Sequence, residues 1–193
     1  MLSYKESLKI LKETDALLEG HFVLSSGLHS EKYVQCAKLL SKPKKAKEIC
    51  LSLAEKIQKE YKNIDLILSP AIGGIVIGYE IGKILNLETI FAERVNNNFI
   101  LRRGFKINEG QKVLIVEDVI TTGKSSLECS DLIKKSSGDI VGYACIIDRS
   151  NGKSLIKNKI VSQVEIDIPT YKKAELPKHL NDIKAVKPGS RNL

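Results

Sequence analysis

The chain has 193 residues, 42% apolar and 28% charged, with 31 lysines and arginines against 23 acidic residues for a formal charge of +8. That length and apolar content support a core of the chain's own, which excludes a disordered tail and a disulfide-stapled miniprotein. Only five of the 31 basic residues are arginine, tryptophan is absent and aromatics are 5%, so the charge reads as a solvated lysine surface rather than a base-stacking nucleic-acid interface.

The opening residues Met1-Leu-Ser-Tyr-Lys-Glu-Ser7 lack the apolar stretch of a secretory signal, and no run approaches the roughly 20 apolar residues that cross a bilayer. The expectation is a cytoplasmic protein with no membrane contact. Ser3 and Glu6 have the spacing of a capping box, and Leu8, Leu11 and Leu18 continue an apolar face, which predicts an opening helix. Residues 21–30 read as a strand and a glycine turn, and 32–37 as another short strand. Ser41 and Pro43 start a second helix, with Ala46, Ile49, Cys50, Leu53, Ala54 and Ile57 on one face.

From there short apolar runs each feed a glycine turn and a helix, the pattern of βαβ units. Strands are predicted at 65–69, 88–92, 113–117 and 139–148, and helices at about 74–85 and 124–135. Val113-Leu-Ile-Val116 is apolar without alternation, as in a strand covered on both faces. The tail alternates over 161–168, breaks at Pro169 and carries a helical stretch near 175–183. The fold class is α/β in a single domain: a central parallel sheet of about five strands with helices on both faces, spanning about 41–158. A small hood is formed by 1–40 and 159–193. Cys36, Cys50, Cys129 and Cys145 form no CxxC pair, and they complete no zinc set with His21, His29 and His179. They read as reduced packing residues.

The chemistry concentrates in Val113-Leu-Ile-Val-Glu-Asp-Val-Ile-Thr-Thr-Gly-Lys-Ser125. A buried strand ends in Glu117 and Asp118, and ligands of open parallel sheets bind at such strand ends, so both acids are expected to face the crevice. Thr121-Thr-Gly-Lys-Ser125 turns hydroxyls and backbone amides toward a helix N-terminus, which suits a phosphate monoester. A Walker A loop would need glycine at position 118, and that position is Asp118. Carboxylates beside a phosphate cradle suit the vicinal hydroxyls of a ribose and positive charge developing on its ring.

Glu117-Asp-Val-Ile-Thr-Thr-Gly-Lys-Ser125 resembles the phosphoribosyl diphosphate (PRPP) signature of type I phosphoribosyltransferases. The remaining landmarks resemble the orotate phosphoribosyltransferase family, in order: Phe22-Val-Leu-Ser-Ser-Gly-Leu-His-Ser30, Ser69-Pro-Ala-Ile-Gly-Gly74, Phe91-Ala-Glu-Arg94, Leu101-Arg-Arg-Gly-Phe105 and Asp148-Arg149. The resemblance implies the type I phosphoribosyltransferase fold and transfer of ribose 5-phosphate from PRPP to orotate, with Mg²⁺ entering on PRPP and a homodimer as the assembly.

It further implies Glu117 and Asp118 as catalytic residues. PRPP would be bound by Arg94, Glu117, Asp118, Val119, Ile120, Thr121, Thr122, Gly123, Lys124 and Ser125, with Gly73 and Gly74 as the diphosphate loop. Orotate would lie against Thr121 and Arg149. Family members often carry lysines after the position of Arg94, one of which assists the leaving diphosphate across a dimer interface. Here Val95-Asn-Asn-Asn-Phe-Ile-Leu101 has no basic residue. Arg102 and Arg103 are the candidates for that part, with bracing of a hairpin as their other reading. In the Ser25–Ser30 stretch, where the family often has basic residues, this chain offers Ser25 and His29. Two rivals remain: a phosphoribosyltransferase for another base, which leaves Arg149 unexplained, and a non-catalytic PRPP sensor that binds nucleic acid.

Overall fold

The computed structural model describes residues 1–24 and 26–188. Helix α1 (Tyr4–Glu13) opens on the expected capping box: Ser3 Oγ accepts the Glu6 amide at 3.3 Å, and the Glu6 carboxylate accepts the Ser3 amide at 2.7 Å. Leu18, expected on this helix, lies beyond it. Asp15, at φ 57°, turns the chain into β1 (Leu17–Val23), which pairs antiparallel with β2 (His29–Val34). The two separate strands expected over 21–37 are therefore one hairpin, reversed where Gly27 takes a φ of 81°. Cys36 and Ala37, expected at a strand end, instead begin α2 (Cys36–Leu40). Ser25 lies outside the described residues.

Pro43 occupies the first turn of α3 (Pro43–Glu60), where its missing N–H costs nothing, and the helix buries the apolar face read from its spacing. The large sheet runs β5-β4-β3-β6-β7-β8, with β3 (Leu66–Pro70), β4 (Glu88–Val95), β5 (Asn98–Leu101), β6 (Lys112–Ile120), β7 (Asp139–Asp148) and β8 (Ile160–Glu165). Neighbours are parallel except β4 and β5. The sheet thus gains an antiparallel edge strand, and of the two readings of this segment, a closing loop or a hairpin, the structure shows the hairpin. Asn96 and Asn97 both adopt positive φ, 47° and 65°, a two-residue turn of the type that closes tight hairpins.

Helix α4 (Gly73–Leu85) packs with α3 on one face of the sheet and α5 (Lys124–Lys135) on the other. Leu114 and Val116 of β6 belong to the first core, with Ile77 and Ile81 of α4; Val113 and Ile115 belong to the second, with Cys129 and Ile133 of α5. This is why β6 is apolar without alternation.

The hood boundary differs from the expected one. Residues 160–165 form β8 at the edge of the large sheet, and only β9 (Thr170–Tyr171) joins β2 in the small three-stranded sheet. The helix expected near 175–183 is interrupted by Pro177, whose extended backbone separates a 3₁₀ turn (Lys173–Glu175) from α6 (Lys178–Asn181). Val186 then pairs along the far edge of β1, its amide donating to His21 O and its carbonyl accepting the Val23 amide, both at 2.8 Å. His21 Nδ1 donates to Ile183 O at 2.9 Å, and His21 Nε2 and His29 Nδ1 share a hydrogen bond at 2.7 Å. The hood thus joins β1 and β2 to residues near 170 and 186, whereas the first residues, expected in the hood, reach the core instead: Met1 pairs with Glu55 and the Leu2 amide donates to Ser52 Oγ on α3. The hood adjoins the carboxyl end of β6, where the Cys36 thiol reaches Asp118 O at 3.8 Å.

Candidate active site

Successive residues of a strand point to opposite faces, so the two acids at the end of β6 diverge rather than share one side of the crevice. Glu117 turns toward α5, where its Oε2 accepts the Ser126 hydroxyl at 2.5 Å. Burial raises its pKa to about 7, a shift opposed by the Ser126 hydrogen bond and reinforced by the neighbouring Asp118. Asp118 turns toward α4. Burial raises its pKa as well, against the pull of the Val119 amide and its own.

After Ile120 the chain turns through Thr121–Gly123 into α5. Gly123 has φ 78°, and a Cβ there would fall 2.6 Å from Ser154 Oγ and 2.8 Å from the Ile156 side chain, so only glycine fits. Glu117, Val119 and Thr121, Thr122, Gly123, Lys124 and Ser125 enclose a cavity of about 130 Å³. The first-turn amides of α5 point into this end of the helix without intrahelical acceptors, and the Lys124 amide meets Thr122 Oγ1 at 3.3 Å. The phosphate cradle read from the sequence is thus a formed concavity beside Glu117.

Gly73 and Gly74 open α4 after the cis peptide between Ala71 and Ile72. A Cβ on Gly73 would fall 2.7–2.9 Å from the Asp118 carboxylate, and one on Gly74 would lie 3.2 Å from Val116 O. The loop is therefore pressed against the end of β6, and Asp118 faces it directly.

Arg149 follows β7, its amide donating to Ile120 O at 2.9 Å. Its buried Nε has no hydrogen-bond partner among the described residues. Burial lowers its pKa, against the influence of Tyr33 on β2. A half-buried guanidinium with a buried, unused Nε–H donor suits an anion.

The remaining arginines sit elsewhere. Arg94 pairs with Glu128 of α5 at 2.5 Å, donates to Asn97 O at 2.6 Å and stacks 4.1 Å over the Phe99 ring, so here it faces α5 rather than the diphosphate loop. Arg103 grips Glu93 with two bonds, at 2.9 and 3.1 Å, and Arg102 approaches the same carboxylate at 3.5 Å. In this structure both brace the β4–β5 hairpin. Sequence reasoning did not single out Tyr33 or Ser126. Tyr33 comes from another part of the chain with no local pattern to mark it. Ser126 follows the loop motif directly and was detectable only as the third residue of a helix returning along β6.

The loop concavity, the diverging carboxylates and the glycine loop gather at the carboxyl ends of the parallel strands, the arrangement of a sugar-phosphate transferase, and residues 37–181 match the phosphoribosyl transferase domain family. An orotate phosphoribosyltransferase of Parvibaculum lavamentivorans is 46% identical over 189 residues, covering 96% of this chain and 97% of the relative. One from Caldicellulosiruptor saccharolyticus is 48% identical over 186 residues, covering 96% of each. The crystal structure of orotate phosphoribosyltransferase from Aeropyrum pernix superposes with a TM-score of 0.72 at 22% identity, over 82% of this chain and 92% of that one. The chain belongs to the phosphoribosyltransferase family and, within it, to the orotate phosphoribosyltransferases.

Proposed function

We infer that the protein transfers the ribose 5-phosphate group of PRPP to orotate, forming orotidine 5′-phosphate and diphosphate in pyrimidine biosynthesis. The observation that carries this reading is the buried, unpartnered Nε of Arg149 beside the phosphate cradle, because a carboxylate-bearing base supplies the missing acceptor and a neutral base does not. The 5′-phosphate lies in the cradle of Thr121, Thr122, Gly123, Lys124 and Ser125, with Val119 and Ile120 leading into it. Asp118 and Glu117 accept hydrogen bonds from the ribose hydroxyls and favour positive charge on the ring as the C1′–oxygen bond breaks. The backbone of Gly73 and Gly74 approaches the diphosphate, and Thr121 lines the floor beneath orotate.

The donor set suits Mg²⁺ carried on the oxygens of PRPP, since the two nearest carboxylates diverge onto opposite faces of β6 and do not form a pocket for an ion. Bound there, the ion would offset charge on the departing diphosphate. Arg94 reaches the diphosphate only by leaving Glu128, and Arg102 or Arg103 assists it only by leaving Glu93.

We place the enzyme in the cytoplasm as a homodimer, with no nucleic-acid partner. Among the described residues no helix is long and apolar enough to cross a membrane. The dimer is supported by Ile72, Val76 and Tyr79, which leave an apolar stripe on α4 exposed at 86%, 50% and 66%. The direct test follows orotate absorbance with purified enzyme. Absorbance should fall only when PRPP and Mg²⁺ are both present, and no change, or equal turnover of uracil or adenine, would overturn the assignment.

A further inference from the structure

Ser126 is fully buried at the third position of α5, and its hydroxyl donates to Glu117 Oε2 at 2.5 Å. Behind it, Ser130 Oγ donates to Ser126 O at 3.0 Å and lies 2.9 Å from Tyr143 Oη. Ser130 has one hydroxyl hydrogen, which is committed to that carbonyl, so Tyr143 is the donor in the last contact. Ser126 is thereby held from behind while its own hydrogen is directed at Glu117.

Little else near Glu117 favours its charge. The titratable groups facing it are Asp118 on its own strand, Cys129 on α5 and Cys145 on β7, and burial holds both thiols well above their ordinary range. Lys124 lines the same cavity but extends toward Glu128 at 3.9 Å, and Arg94 is committed to Glu128 as well. Among the described residues the Ser126 hydrogen bond is therefore the side-chain contact that favours the anion. Its short distance suits a hydroxyl bound to a carboxylate.

We propose that Ser126 is a positioning residue for the transfer reaction, whose hydroxyl fixes one oxygen of Glu117 and leaves the other ionised and free to accept from a ribose hydroxyl. The proposal rests on the reading that Glu117 binds the ribose of PRPP. With the hydroxyl gone, burial acts unopposed, the carboxyl takes up a proton at higher pH, and a protonated carboxyl presents a donor where the sugar needs an acceptor.

The test compares kcat/KM for PRPP across pH in the wild type, Ser126→Ala, Ser126→Thr and Glu117→Gln. In the wild type, activity should rise through about pH 7 as Glu117 ionises. In Ser126→Ala the rise should move upward by about one pH unit, giving about a tenfold loss near pH 6.5 that shrinks on the alkaline side. Ser126→Thr, which keeps the hydroxyl, should restore the wild-type profile, and KM for orotate should stay unchanged throughout. An unmoved profile in Ser126→Ala, a loss equal at every pH, or a threonine variant that behaves like alanine would overturn the proposal. A Glu117→Gln enzyme that keeps the wild-type profile would overturn the reading of Glu117 beneath it.

Discussion

In the proposed reaction Arg149 discriminates between bases: its guanidinium is half-buried with Nε unpartnered, a donor that the orotate carboxylate would take up. Arg149→Ala should weaken orotate by about 3 kcal/mol, roughly a hundredfold in KM, because the substrate carboxylate would then be buried without its partner. KM for PRPP should barely move; steady-state kinetics in both substrates checks this, and equal losses in both would make Arg149 a residue of the fold. The loop from Glu117 to Ser125 was legible in the sequence because the strand, the acids and the cradle are contiguous and each residue type states its chemistry, whereas Arg149, far along the chain from that loop, was marked only by the family resemblance. What stayed hidden were contacts between elements. Glu117 and Asp118 read as a pair, yet strand alternation sends one to Ser126 and the other to Gly73. Arg94 read as a cation for the diphosphate, but Glu128 lies beside it, and for Arg103 the reading that the structure shows is the bracing one, through Glu93.

Helix α4 sets the position of the diphosphate loop through the face it presents to the sheet. Gly74, Gly78 and Gly82 recur at i, i+4 and i+8, and a Cβ on Gly78 would collide with Ser69 Oγ, as one on Gly82 would with Thr89 Oγ1. Bare backbone on this face lets the helix lie close against β3 and β4. Gly78→Ala should therefore destabilise the protein by about 2 kcal/mol, since overpacking outweighs the gain of about 1 kcal/mol in helix propensity. Urea denaturation measures it, and a more stable variant would show that α4 can lift away without cost. The helix itself was readable from its glycine turn and apolar run, as were the parallel strands. The edges of the sheet were less so. Strand β5 is four residues long behind two asparagines, a composition that fits a mobile loop as well as the hairpin that the structure shows. Strand β8 was assigned to the hood because strand patterning carries no record of which sheet a strand joins.

At the scale of the whole molecule, the exposed stripe of α4 lies beside the diphosphate loop, since Ile72 immediately precedes Gly73. A second copy seated on that stripe would bring its own surface next to the leaving group. Replacing Val76 and Tyr79 together by Asp should shift sedimentation from dimer to monomer and reduce kcat with it, and a wild-type sedimentation profile would move the interface elsewhere.

The hood has a further consequence, for the order in which the enzyme becomes competent. Its small sheet needs β1 and β2 from the start of the chain, yet it is completed by Thr170–Tyr171 and by Val186 against Phe22. All six strands of the large sheet have been synthesised once Glu165 is made. A chain emerging from the ribosome can therefore assemble its core and the loop from Glu117 to Ser125 while the small sheet still waits for Thr170–Tyr171 and Val186.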